Sequence, residues 1–584
     1  MTKTIRTLSI IAVLLCSIFA KAEEYKWINP LDLEYPVVQN QGWTDEIGKT
    51  YYRLPDRMLG KVRGPVWNLS RNSAGLAIHF YTNAPDIRLR YKISNPLYMH
   101  HMPPTGVSGT DLYGIDQNGE SRRFFGFFNN SNDTVWTRFC NDRMNEYHDK
   151  GYEFHLYLPL YNTVENLEIG VPDSCYIEFI PASKERPIVV YGTSIEHGAC
   201  ASRPGMAWTT QLQRALDLPL INLGFSGNGR LEQEILDLMS EIDARLYILG
   251  CLANLTESTP EELDSLISNA VSTLRSSSDA PIIIFEHPGF SDAPVKKSQQ
   301  EIIDRLNSSA KKTVARLKAE GVKDIYYITR EEIGIPLDGW VDDVHPNDLG
   351  MTFFAQSLEK VVRQALNMPL GSISTTIPVT QRREAANYEW RERHRAVIDR
   401  NSANPPKSVI IGNSITHFWG GEPVGHVVNG KKTWDKKLAK AGYGNLGFGW
   451  DRIENALWRV YHDELDGYQA EQVVIMIGTN NCGINTPDEV CEGLRFLIHA
   501  IRDRQPTAKI KMVGILPRRG NLEWVATTNS KIKAMVDNED NCVYVDPGVK
   551  MLNADGTLNE SLFTDGLHPN DDGYSIIVDD IISK

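Results

Sequence analysis

The sequence predicts an α/β chain: two domains built of βα units on parallel sheets, following a β-sandwich module. Three observations predict it. From residue 187 onward, short β-branched apolar runs alternate with stretches of helical period, the pattern of strands joined by crossover helices. That alternation occurs twice, and each copy opens on a buried-strand run ending in Gly-x-Ser-Ile: PIVVYGTSI at 187–195 and SVIIGNSI at 408–415. Residues 23–184 lack the helical period and show short alternating runs between Asn, Gly, Pro and Asp clusters instead.

A chain of 584 residues exceeds what one hydrophobic core serves, so about three domains are expected. The divisions read as a leader over 1–22, a sandwich over 23–184, α/β domains over 185–370 and 405–584, and a linker with a charged helix over 371–404. In the leader, Lys3 and Arg6 precede an apolar run, and Ala20-Lys21-Ala22 forms a cleavage site, which predicts export and a mature start near Glu23. A lipoprotein anchored through Cys16 is the alternative, and the bulky Leu15 before it argues against that. No later stretch is long and apolar enough to span a bilayer, so a periplasmic or secreted protein without membrane insertion is expected. The net charge of -13, with no long basic run, argues against a nucleic-acid partner. Of eight cysteines one leaves with the leader, and the odd remainder without a C-x-x-C pair excludes a full disulfide framework or a zinc ribbon. Cys140 with Cys175 is the bridge to test, and free buried thiols are the other reading.

In the sandwich, strands are predicted at 76–82, 87–93, 152–158 and 167–171, with a loop over 95–119. The first α/β domain carries predicted strands at 188–191, 246–249, 282–285 and 325–328, and helices at 231–242, 261–274, 298–318 and 349–366. Residues 371–381 are polar and short of helix formers, and 382–399 reads as a charged helix. Strands return at 409–411, 473–477, 510–515 and 543–545, with helices at 453–461, 490–502 and 529–536, so the chain repeats at domain size.

The same blocks follow each serine in the same order. After Ser194 come Asn222-Leu-Gly-Phe-Ser-Gly227-Asn228, Gly250-Cys-Leu-Ala-Asn254 and Asp342-Asp-Val-His345-Pro346-Asn347. After Ser414 come Asn445-Leu-Gly-Phe-Gly449-Trp450-Asp451, Gly478-Thr-Asn480-Asn481 and Asp565-Gly-Leu-His568-Pro569-Asn570. Serine and histidine stand 151 residues apart in one copy and 154 in the other. A serine needs a base to become a nucleophile, and the histidine needs a carboxylate to fix its tautomer and stabilise the imidazolium. D-x-x-H supplies both from one turn, so Ser194–His345–Asp342 and Ser414–His568–Asp565 are the predicted catalytic sets. Donors for a developing oxyanion come from the serine N–H, a glycine-block N–H and an asparagine amide. These are Gly227 and Asn254 in the first copy, and Asn480 with Gly449 or Trp450 in the second.

On these blocks the chain resembles the SGNH (GDSL-like) hydrolase superfamily twice over, across about residues 185–366 and 405–584. The resemblance implies flavodoxin-like three-layer α/β/α domains and serine-esterase chemistry without cofactor or metal. Gly109-Thr-Asp-Leu-Tyr113 resembles the G-x-D-L-Y signature of the β-rich, jelly-roll-like module found before some SGNH esterases. The layout is similar to that of acetyl esterases acting on plant polysaccharides. The implied partner is an acetylated xylan- or pectin-like polysaccharide or oligosaccharide, with the oligomeric state open. The alternatives are a lipase- or thioesterase-type esterase, or one SGNH domain acting as a non-catalytic glycan binder. Three features depart from the family pattern: GTSI and GNSI at the serines, Trp450 where glycine is usual, and Cys251-Leu-Ala before Asn254.

His197 and His417 lie three residues past each serine without a carboxylate placed as in D-x-x-H, so structure or substrate contact is expected of them. His79, His155, His287 and His100-His101 show no metal-ligand spacing, and no metal site is predicted. Trp419, Trp434 and Trp450 read as core aromatics, with a sugar platform as the functional alternative. The G-x-D-L-Y stretch is a structural turn or the edge of the first active site.

Overall fold

The computed structural model describes residues 24–131, 133–140 and 150–583; the predicted leader, with Cys16, lies outside the described residues. The N-terminal module is a sandwich of two antiparallel sheets. Across the first sheet lie Tyr25–Ile28, Val164–Pro172, Asp86–Ile93, Thr134–Cys140 and Gly126–Ser131. Across the second lie Ile177–Phe179, Ala77–Thr82, Tyr152–Tyr157, Asp111–Ile115 and Ser121–Phe124, with Val38–Gln39 paired to Ala77–Thr82. Inward residues of both sheets, among them Phe80, Leu89, Phe154 and Ile169, are fully buried and form the core between them.

Two expectations are corrected here. The predicted 95–119 loop contains the strand Asp111–Ile115, which lies inside its sheet and is buried on both faces, so it shows no alternation. Gly114 makes room for the Phe124 ring, to which a Cβ would approach within 2.6 Å. The Cys140–Cys175 bridge is not formed: Cys140 is exposed at the end of its strand while Cys175 packs toward the sandwich core.

Each α/β unit is a five-stranded parallel sheet in the strand order 2-1-3-4-5, the flavodoxin-like winding. In the first unit the strands across the sheet are Leu220–Gly224, Ile188–Gly192, Leu246–Gly250, Ile282–Phe285 and Ile325–Ile328. In the second they are Tyr443–Gly447, Ser408–Gly412, Gln472–Met476, Lys509–Val513 and Cys542–Val545. Leu220–Gly224 and Tyr443–Gly447 escaped the sequence reading because each carries an Asn and a terminal Gly, residues that weaken a strand signal. No helix among the described residues is long and apolar enough to cross a membrane.

Residues 371–404 are not a free tether, and their helix spans Trp390–Ala403 instead of starting at 382. Arg391 on this helix reaches three units at once. It pairs with Glu153 of the sandwich at 3.0 Å and Asp217 of the first α/β unit at 2.9 Å, and lies over the Trp458 ring of the second at 5.4 Å.

Candidate active sites

In each α/β unit the first strand ends in glycine, and the serine two residues on opens a one-turn helix: Ser194–His197 after Ile188–Gly192, and Ser414–His417 after Ser408–Gly412. The glycine is required by close approach. A Cβ on Gly192 would lie 2.2 Å from Glu196 Oε2, and one on Gly412 would lie 2.0 Å from Thr416 Oγ1. Asn222 and Asn445 tie this turn to the neighbouring strand. Each side-chain amide donates to the carbonyl of residue 196 or 416 at 2.7 Å and accepts from the Gly224 or Gly447 N–H at 2.8 Å. The sequence reading gave these asparagines no role, although their recurrence at the head of the same block was a usable signal.

The structure brings each predicted triad together. Ser194 Oγ lies 2.9 Å from His345 Nε2, and His345 Nδ1 lies 2.8 Å from Asp342 Oδ2. In the second unit the distances are 2.8 Å for Ser414–His568 and 2.7 Å for His568–Asp565. The D-x-x-H turn explains the match. Asp342 Oδ1 accepts the N–H groups of Val344 and His345 at 2.9 and 2.7 Å, leaving Oδ2 for the ring, and Asp565 Oδ1 does the same for Leu567 and His568 at 2.9 and 2.8 Å. Burial alone would raise both carboxyls, but these hydrogen bonds outweigh it and hold them below their usual range, so they stay ionised opposite the imidazole. Asn347 and Asn570 then cap the helices Asp348–Ala365 and Asp571–Ile582, which anchors each histidine turn.

Strand register aligns the residues expected to serve as oxyanion donors in the two units. Gly192 pairs with Gly224 and Gly250, and Gly412 pairs with Gly447 and Met476. Counted from those partners, Gly227 corresponds to Trp450 and Asn254 to Asn480. Gly227 and Trp450 share a left-handed backbone, with φ of 69° and 63°. The Gly449 N–H is taken up by His417 Nδ1 at 3.1 Å, so of that pair Trp450 is the counterpart of Gly227 and Gly449 is set aside. Asn254 accepts from the Gly229 N–H at 3.2 Å and Asn480 donates to the Asp451 carbonyl at 3.0 Å, so each is anchored to the glycine-block loop of its own unit. Cys251-Leu-Ala does not disturb this: Leu252–Asn254 forms a short 3-10 turn, as Thr479–Asn481 does.

The surroundings of the two serines differ. Near Ser414, residues 381–390 clamp the Gly449–Asp451 loop. Gln381 and Tyr388 donate to the Gly449 carbonyl at 2.9 and 2.8 Å, Arg383 donates to that of Trp450 at 3.0 Å, and Trp390 Nε1 donates to the buried Asp451 carboxylate at 2.7 Å. Asp451 also pairs with the fully buried Arg459 at 2.9 Å. Trp419 and Trp434 are core residues as expected, but Trp450 is 54% exposed and corrects the core reading for that position.

Near Ser194 the sandwich supplies the wall. His197 donates to the Leu160 carbonyl at 2.7 Å and stacks on Tyr161 at 4.1 Å. Burial, reinforced by nearby arginines, holds His197 neutral and pushes His417 down to about 2, and each ring is taken up by backbone, His197 Nε2 donating to the Leu160 carbonyl and His417 Nδ1 accepting the Gly449 N–H. The His101 ring lies 5.6 Å from that of His345. In the G-x-D-L-Y stretch, Asp111 is buried and grips the loop beyond the nucleophile helix, accepting from Arg203 and from the Gly205 N–H at 3.1 Å, while Tyr113 Oη accepts from Arg203 at 2.7 Å. That signature is a clasp between sandwich and hydrolase unit.

Parallel sheets in the 2-1-3-4-5 order with Ser, Gly, Asn and His blocks at their carboxyl edges define SGNH-type esterase domains, here two of them. Residues 185–363 and 410–576 each match a model of the GDSL-like lipase/acylhydrolase family, and 25–177 match that of the N-terminus of SGNH-hydro-type esterases. The chain belongs to the GDSL-like lipase/acylhydrolase family. A solved GDSL-like lipase from Bacteroides ovatus ATCC 8483 is 30% identical, with a TM-score of 0.54, covering 60% of this chain and 100% of that one. Platelet-activating factor acetylhydrolase IB subunit alpha1 of Homo sapiens is 25% identical over 190 residues, 32% of this chain and 78% of the relative. The alpha2 subunit of Bos taurus is 26% identical over 192 residues, 32% and 80% respectively.

Proposed function

We propose that this chain is a two-headed carbohydrate acetyl esterase, each SGNH domain carrying one Ser–His–Asp site. The observation that carries the esterase chemistry is the pair of complete triads, each with serine, histidine and carboxylate in hydrogen-bonding contact. In each site the serine hydroxyl attacks the ester carbonyl as its proton passes to the histidine Nε2. The carboxylate on Nδ1 stabilises the imidazolium, which returns the proton to the departing alkoxide. The serine N–H, the Gly227 or Trp450 N–H and the Asn254 or Asn480 amide receive the tetrahedral oxyanion. Water then attacks the acyl-serine by the same base and restores the enzyme.

Acetyl as the acyl group is supported by the curated relatives, which are named acetylhydrolases. Sugar as its carrier is supported by Trp450, a half-exposed indole on the residue whose N–H faces the second oxyanion, since indole faces stack on sugar rings. A plant-type polysaccharide or its oligomers, reached by export through the N-terminal leader, completes the reading.

The test is acetate release from acetylated xylan, acetylated pectin, a short-chain lipid ester and 4-nitrophenyl acetate by wild type, Ser194→Ala, Ser414→Ala and the double variant. Loss of different substrates or positions in the two single variants is expected. Release confined to the lipid ester and the small ester would remove the carbohydrate assignment. Full activity in one single variant together with none in the other would make the silent domain a binder.

A further inference from the structure

The first active site holds two groups that ester hydrolysis does not use: the His101 imidazole, from the sandwich, and the Cys200 thiol, just past the nucleophile helix. With His345 they make a His–Cys–His set whose ligating atoms lie within 4.8 Å of one another. His101 Nδ1 is buried without a hydrogen-bond partner. Cys200 is buried, holds a left-handed backbone with φ of 67°, and turns its thiol to the His101 carbonyl at 3.6 Å. A left-handed backbone is rare and strained for a residue with a side chain, and six residues past the second serine the chain carries Gly420 instead. Strain kept where the repeat uses glycine asks for a use of the thiol.

We propose that His101, Cys200 and His345 bind a divalent cation of the zinc type, and that its binding switches the first esterase site off while the second stays active. The switch rests on the esterase reading of the first site; the binding does not. Imidazole and thiolate are the ligands zinc prefers, and three protein ligands with water in the fourth position make a tetrahedral centre. Zinc–nitrogen bonds of about 2.1 Å and a zinc–sulfur bond of about 2.3 Å set ligand atoms roughly 3.3–3.8 Å apart, so the set closes by no more than about 1–1.5 Å on loading. Two imidazole lone pairs and one from sulfur form the bonds, and the Cys200 thiol proton leaves to solvent. His345 Nε2 exchanges its contact with Ser194 Oγ for the metal, and the serine loses its base. Asp342 remains on His345 Nδ1 as the carboxylate that orients a metal-bound histidine.

The test uses the full chain. In the Ser414→Ala background, Zn2+ is expected to suppress 4-nitrophenyl acetate hydrolysis and a chelator to restore it, whereas the Ser194→Ala chain keeps its rate in Zn2+. Relative to each variant's own metal-free rate, Cys200→Ser and His101→Ala should need Zn2+ concentrations higher by more than the roughly 10–100-fold that loss of an outer partner brings. Co2+ should give a thiolate-to-cobalt absorption band that Cys200→Ser lacks, and this readout needs no activity. Absence of the band from the wild type, or equal inhibition in wild type and Cys200→Ser, overturns the proposal. A Cys200-dependent band in a chain that hydrolyses no ester would uphold the metal site and remove the esterase reading.

Discussion

Trp450 carries a left-handed backbone that a bulky side chain adopts only at a penalty of about 1–2 kcal/mol. Packing does not hold it there, since the indole is half exposed; the Gln381 and Arg383 side chains, donating to the carbonyls of Gly449 and Trp450, do. Trp450→Gly should therefore leave stability within about 1 kcal/mol of wild type, strain relief offsetting the extra freedom of glycine in the unfolded chain. In a Ser194→Ala background it should raise KM for the glycan and leave 4-nitrophenyl acetate hydrolysis almost unchanged. An equal loss on both substrates would assign the indole to the loop and not to the sugar. Beneath the first serine, burial pushes Glu196 from 4.5 up to about 7. A carboxyl raised on folding adds stability that is complete below its unfolded value and is lost as pH rises through the folded one, here between about 4.5 and 7. Glu196→Gln should therefore gain on wild type in melting temperature between about pH 4 and about pH 8, and parallel profiles would reject this. Both triads were legible as residues, because D-x-x-H is local and one turn forces the contact. The choice of Trp450 over Gly449 was not legible, because it depends on which N–H His417 takes.

At the scale of elements, the segment over 381–390 matters most to the second site. The sequence assigns Gln381 to a polar linker and 382–390 to the start of a charged helix, yet Gln381, Arg383, Tyr388 and Trp390 all bond to the Gly449–Asp451 loop. Composition reports the residues and not their partners, and here the partners lie some sixty residues onward in the chain. Gln381→Ala combined with Tyr388→Phe removes both donors to the Gly449 carbonyl and frees the adjacent Trp450 N–H, the proposed oxyanion donor, to move. Turnover at the second site should fall by up to about 100-fold, since small misplacements of a catalytic donor have that effect. KM should change little, and the first site, read in Ser414→Ala, should be untouched. A fall confined to KM would contradict the positioning role. Among the missed strands, Asp111–Ile115 lies inside its sheet and so loses its alternation, whereas the edge strands Leu220–Gly224 and Tyr443–Gly447 carry Asn and Gly, which weaken a strand signal.

For the whole molecule, Arg391 is where the three units meet, bonded to Glu153 and Asp217 and stacked on Trp458. Arg391→Ala leaves the buried Glu153 without its strongest cationic partner, which costs on the order of 3 kcal/mol in comparable buried pairs. Calorimetry should then show coupled unfolding in wild type and separate transitions in Arg391→Ala, and a single unshifted transition in the variant would show that the junction is held elsewhere. The sequence by itself determined the repeat, the parallel-sheet class, the nucleophile turns and both histidine–aspartate pairs. Strand period, glycine at a crowded turn and an Asx-type loop are local, so a short stretch of residues suffices to specify them. Only the tertiary structure decided that residues 381–390 brace the second site, that Asp111 clasps the first, and that His101, Cys200 and His345 come together. Those residues are distant in the chain, and no periodicity records a contact that exists only once separate sheets have packed.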